Sequence, residues 1–123
     1  MLNPSQTLGV VGEELAYHYL RRKGYKVLLR NYKNMMGEID LIAKEKGALV
    51  FVEVKTRTSD AMGAPAEALT HFKRQQIVRC AKYYIKRYGI YHVPCRFDVV
   101  SVWMPAEGQP RLEIIQNAFG END

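Results

Sequence analysis

The amino-acid sequence predicts a single α/β domain, a mixed central β-sheet flanked by helices in the order αβββαββ. Two stretches, one near the start and one ending at Tyr88, repeat apolar residues at helical spacing. Between and after them, shorter runs alternate in the manner of strands, punctuated by Gly, Pro and Asn. With 123 residues of which 47% are hydrophobic, the chain is long enough for one core and short for two. Residues 1–123 are therefore read as one domain, with fraying expected at 1–3 and 120–123.

Each element has its own signal. Asn3-Pro4 offers an N-cap followed by proline at the first helical position. Leu8, Leu15, Ala16, Tyr19 and Leu20 continue an apolar stripe toward Lys23, and Gly24 supplies the stop. Gly9 and Gly12 weaken the first turns, which implies that something approaches the backbone closely there. Tyr25 to Asn31 reads as the first strand, with Tyr32 to Met36 as a polar connection.

A second strand starts at Gly37, with Ile39, Leu41 and Ala43 on one face and Glu38, Asp40 and Ile42 on the other. Lys44 to Gly47 makes a short hairpin connection. The third strand, Ala48 to Lys55, puts Val50, Val52 and Val54 on one side and Leu49, Phe51, Glu53 and Lys55 on the other. Thr56 to Pro65 is the longest irregular stretch of the middle of the chain.

The second helix runs from about Ala66 or Thr70 to Tyr88, burying Ile77, Cys80, Ala81, Tyr84, Ile85 and Tyr88. Arg74, Arg79, Lys82, Lys86 and Arg87 cover its remainder, the usual composition of a solvated face. After Gly89 and Pro94, Arg96 to Met104 alternates as a strand. Pro105 to Pro110 turns the chain, and Arg111 to Gln116 returns as the last strand.

The third strand holds an anomaly. A run as apolar as Ala-Leu-Val-Phe-Val ends with Glu53 and Lys55 on one face, and the hairpin brings Asp40 to a comparable depth. Ionised groups at the end of a buried strand are costly unless paired or bound to a metal. Two carboxylates beside an ammonium suit a small oxygen-ligand site for Mg²⁺ or Mn²⁺, with the lysine orienting a water. The plainer alternative is a Glu53–Lys55 salt bridge at a strand end, with Asp40 opening a solvated loop. Glu13 has two readings as well. It shares a helix flank with Gly9, Ala16, Tyr17 and Leu20, and either balances the helix dipole at the boundary or faces the same site.

Asp40 followed by Glu53-Val54-Lys55 resembles the PD-(D/E)XK nuclease signature. GEIDLI followed by FVEVKTR resembles, more specifically, the YraN-like family of small bacterial proteins, similar in fold to archaeal Holliday-junction resolvases. The likeness extends to Gly9-X3-Glu13-X2-Ala16, Asn31, Arg96-Phe97-Asp98 and Asn117-Ala118-Phe119. It implies a restriction-endonuclease-like fold and a Mg²⁺-dependent endonuclease acting on DNA, structured or branched DNA included. Asp40, Glu53 and the Val54 carbonyl would then hold the metal, Lys55 would position water, and Glu13 would complete the shell directly or through water. Ile39 departs from the pattern, standing where many related nucleases have proline before the aspartate.

Charge and composition agree with a polyanionic partner. Eighteen Lys and Arg against thirteen Asp and Glu leave a net charge of +5. DNA ahead of RNA is the expected partner, with Arg30, Thr56, Arg57, Lys73 and Gln76 as candidate contacts. A homodimer is left open, since paired cuts need two active sites. Cys80 and Cys95 lack metal-ligand spacing and read as reduced thiols. The start of the chain lacks a signal-peptide pattern, and no apolar run reaches the ~20 residues that span a bilayer. No membrane partner and a cytoplasmic location are expected. A binding module that never cuts, or a scaffold for a DNA-processing partner, is the competing functional class.

Overall fold

In a computed structural model, which describes residues 2–58 and 69–122, the elements follow the expected order. They are α1 (Pro4–Arg22), β1 (Lys26–Asn34), β2 (Gly37–Glu45), β3 (Ala48–Arg57), α2 (His71–Tyr88), β4 (Cys95–Trp103) and β5 (Arg111–Phe119). The five strands lie in sequence order, all antiparallel except the β3–β4 pair. That parallel pair requires a crossover, which α2 provides. The sheet is mixed and carries α1 on one face and α2 on the other, the αβββαββ arrangement of a restriction-endonuclease-like domain.

The helix ends obey their sequence signals. Asn3 and Gln6 form a reciprocal capping box at the start of α1, with Pro4 in the first turn. Gly24, at φ +92°, carries the chain out. Thr70 caps α2 by accepting from Lys73 N–H, and Gly89 closes it in the left-handed conformation. The alternative start of α2 at Ala66, and most of the Thr56–Pro65 stretch, lie outside the described residues.

Four boundaries differ from the sequence expectation by two residues or more, each for a local reason. β1 runs on to Asn34, leaving Met35 and Met36 as the turn. Its end is held because Asn34 Nδ2 donates to the Cys80 carbonyl in α2. β2 reaches Glu45, and Lys46 and Gly47 alone make the turn, both at positive φ as a two-residue hairpin demands. β3 includes Thr56 and Arg57 because β4 continues to pair with it there. β5 continues to Phe119, which is buried on Phe97 in a stacked pair at 5.1 Å.

The core has two layers. Under α1 lie Ala16, Leu20, Leu41, Ala43, Val50, Val52, Val54, Val100 and Val102. Beneath α2, Phe51, Phe97 and Phe119 form a stacked spine across β3, β4 and β5, with Tyr84 edge-on to Phe51. Ile39 corrects the simple alternation of β2. It joins Ile42 in the α2 layer while Leu41 and Ala43 face α1. The β2–β3 ladder stops at the Leu41–Val52 pair, so the chain twists once it leaves its partner.

A buried polar network ties the α1 layer to the sheet. Asp98 is fully buried and accepts from Tyr25 Oη at 2.8 Å, Arg96 Nε at 3.0 Å and Asn117 N–H at 3.0 Å. Arg96 also donates to Glu45 at 2.7 Å and to Tyr25 Oη, which Gln116 reaches as well. The Asn117 contact holds a β-bulge, where that residue takes φ +51° and the β4–β5 register shifts. The Arg-Phe-Asp and Asn-Ala-Phe motifs are thus one structural unit. Removing one partner of such a cluster leaves the others buried and unmatched. Asp98→Ala is expected to cost about 3–4 kcal/mol in urea denaturation. A loss below about 1 kcal/mol would show that the network is not an anchor.

Candidate functional site

Where β2 parts from β3, Asp40 takes over a ladder position with its side chain. Its Oδ2 accepts the Val54 N–H at 2.8 Å, across the gap the strands have opened. One face of β3 beyond that point presents Glu53 and then Lys55. Glu53 is 7% exposed, and its Oε2 is a buried oxygen without a hydrogen-bond partner among the described residues. Lys73, from the first turn of α2, brings its Nζ to 3.8 Å from that oxygen.

Glu13 arrives from α1 on the other side of Asp40. The helix can approach because Gly12 is buried against Thr56. A Cβ on Gly12 would lie 1.9 Å from Thr56 Oγ1. That is the close contact the sequence implied, whereas a Cβ on Gly9 would meet nothing within 4 Å. Glu13, Leu8, Gly9, Val54, Lys55 and Thr56 line a small cleft of about 250 Å³.

The electrostatics are those of crowded acids. Burial first, then the Asp40 carboxylate, raises the Glu53 pKa to about 9, with Lys73 and Lys55 only partly offsetting the shift. Glu13 rises to about 7 through burial and the charges of Asp40 and Glu38, against the opposing pull of Arg30. Asp40 is thus the centre of a row of three carboxyl groups. Among the described residues no group of three or more His, Cys, Asp and Glu side chains is packed tightly enough to hold a metal ion by itself. A Mg²⁺ site does not require one, since this ion binds through one or two carboxylates and keeps several waters. Asp40 and Glu53 carry such hard oxygens, and Glu53 Oε2 accepts no hydrogen bond, with Lys73 Nζ at 3.8 Å. The residues fit the ion.

The remaining candidates divide. Lys73 joins the site directly, and Gln76 packs its side chain over Gly37 at the start of β2, 3.0 Å from where a Cβ would stand. Arg30 is engaged elsewhere. It donates to Glu14 at 2.6 Å and lies 4.1 Å over the Tyr17 ring, so it borders the site through its charge on Glu13. Thr56 is committed to the contact with Gly12. Arg57 closes β3 beside β4, its carbonyl accepting from Met104 N–H. Glu38 received no role from the sequence, yet it raises Glu13 and lines a depression with Lys33, Asn34, Gly37, Lys73 and Gln76. Its place two residues before Asp40, on the same face, was the available signal.

Two measurements test this geometry. Gly12→Ala should lower stability by about 1–3 kcal/mol, with partial recovery on adding Thr56→Ala. No loss on Gly12→Ala would mean that α1 does not press on β3 there. The second concerns pH. Glu53 is protonated in both folded and unfolded chains below its ordinary pKa of 4.5. Between 4.5 and about 9 the unfolded chain ionises while the folded one keeps its proton, so stability falls as pH rises. In EDTA, Glu53→Gln should melt above the wild type by a margin that widens from pH 5 to pH 8, reaching roughly 5–10 °C. A constant margin would refute the raised pKa.

Residues 12–102 match the model of a protein family described as uncharacterised protein family UPF0102. The UPF0102 protein STH1475 of Symbiobacterium thermophilum is 46% identical over 115 residues, covering 94% of this chain and 98% of its own. The UPF0102 protein TTE1452 of Caldanaerobacter subterraneus subsp. tengcongensis is 48% identical over 116 residues, 93% and 95% of the two chains. A third, GSU0650 of Geobacter sulfurreducens, is 43% identical over 115 residues, 94% and 90%.

Proposed function

The chain belongs to the UPF0102 family, a grouping that assigns no chemistry, and from its site we propose that it is a metal-dependent endonuclease hydrolysing phosphodiester bonds of DNA. The observation that carries this reading is the buried Glu53 oxygen that accepts no hydrogen bond beside Asp40, with two lysines facing the same carboxylate. A purely structural strand end has no use for acids this crowded. Burial of carboxylates against one another destabilises a fold unless a cation resolves it.

Asp40, Glu53 and the Val54 carbonyl would hold Mg²⁺ or Mn²⁺, with Glu13 adding its oxygen directly or through water. The ion would supply charge neutralisation at the phosphate and a more acidic bound water. The chain's own groups do the rest. Asp40 keeps β3 in place through the Val54 N–H and so sets where Glu53 and Lys55 stand. Lys55 lines the cleft beside Glu13, where an ammonium can orient the attacking water and stabilise negative charge developing on the phosphoryl oxygens. The net charge of +5 favours a polyanionic substrate.

A panel of labelled linear, flapped and four-way DNA, incubated with Mg²⁺, Mn²⁺ or EDTA, tests the reading. Cutting is expected only with the metal, and Asp40→Asn or Lys55→Ala should slow it by about 100-fold or more. Binding without cutting, equal in wild type and variants, would replace this reading with that of a nucleic-acid-binding module.

A further inference from the structure

The turn Met35–Met36 and the outer face of α2 enclose a groove of about 710 Å³ that the candidate chemistry does not use. Its lining is Met36, Arg79, Lys82, Tyr83, Lys86 and Arg87. Four cations surround an apolar floor, and the lining contains no acid. Arg79, Lys82, Tyr83 and Lys86 recur at helical spacing, so one face of one helix presents them together. Gathering like charges along a helix face is unfavourable unless an anion lies over it. One anionic group already does so: the carboxylate of Glu121, near the C-terminus, pairs with Lys82.

The groove and the site are joined by α2, which lends side chains to both. Lys73, at 3.8 Å from Glu53, begins the same helix. Near the same β1–β2 turn, Lys73 and Gln76 line a depression with Lys33 and Glu38, which pair with each other at 3.9 Å. From Lys73 to Lys86 the helix rises about 20 Å, the axial length of about six base pairs.

We infer that this face of α2 is a phosphate track, holding the backbone of duplex DNA for about half a turn beyond the bond at the carboxylate cluster. The inference rests on the nuclease reading and extends it, by naming where the substrate lies. The groove's cations contact phosphate oxygens and therefore supply affinity without base preference. Glu121 stands in for one phosphate when DNA is absent. Tyr83 and Met36 pack against sugar edges at the groove floor.

The test is the salt dependence of binding, measured by fluorescence anisotropy with a labelled 24-base-pair duplex (about two turns) and Ca²⁺ in place of Mg²⁺. Arg79→Ala combined with Lys86→Ala removes two exposed cations from the track. Lys26→Ala combined with Lys46→Ala removes two exposed cations at the far end of the β2–β3 hairpin, with the same change in net charge. The track pair should weaken binding roughly tenfold and reduce the slope of log affinity against log salt by about 2. The control pair should leave the slope near that of the wild type. A slope unchanged in the track pair, or lowered equally by both pairs, overturns the track and leaves the nuclease reading standing. Wild-type protein that binds no DNA at all overturns both.

Discussion

A single hydrogen bond, from the Val54 N–H to the Asp40 carboxylate, sets the layout of the site. Antiparallel strands normally satisfy such a group with a backbone carbonyl. Here the ladder ends one pair earlier, and a side chain completes it. Two consequences follow from the swap. The strands can diverge without leaving a buried donor unmatched, which a plain separation would do at a cost of about 1–3 kcal/mol. The aspartate is also held at the floor of the opening, with α1 bringing Glu13 from one side and β3 presenting Glu53 from the other. The acids are crowded because α1, β2 and β3 each deliver one to this opening between β2 and β3.

Much of this was legible in the sequence, because it is written in patterns with short range. The cap at Asn3, the stops at Gly24 and Gly89, and the alternation of β3 each depend on a few neighbours. So does the depth of Asp40 relative to Glu53, which a hairpin fixes by counting. What stayed hidden depends on partners distant in the chain. β5 reaches Phe119 because Phe97 is there to stack on it. β1 reaches Asn34 because the Cys80 carbonyl accepts its amide. The turn of Ile39 into the α2 layer follows from the divergence at Asp40, and strict alternation has no means of expressing it. Thr56 lines the cleft after Lys55 as its place suggests, but its close contact across the fold with Gly12 could not be read from its neighbours in the chain.

The two polar clusters make opposite uses of burial. Around Asp98 every carboxylate oxygen meets donors, including a guanidinium, so the charge is matched and its role is structural. Around Glu53 the match is withheld: Lys73 stays at 3.8 Å and one oxygen has no donor. Satisfied networks rigidify a fold, whereas a partly satisfied buried carboxylate stays costly until something meets it. The contrast separates a structural acid from a candidate functional one more sharply than residue type does, since the sequence shows both simply as acids in strands.

The strand order leaves β1 and β5 as the two borders of the sheet. Lys26, Arg30 and Lys33 stud β1, which a bulge interrupts at Leu28; Arg111 and Glu113 begin β5, which is bulged at Asn117. Charges and bulges on edge strands oppose the addition of another strand. Both margins therefore disfavour the joining of two copies into one continuous sheet. The margins of the sheet thus serve to keep concentrated protein from associating edge to edge.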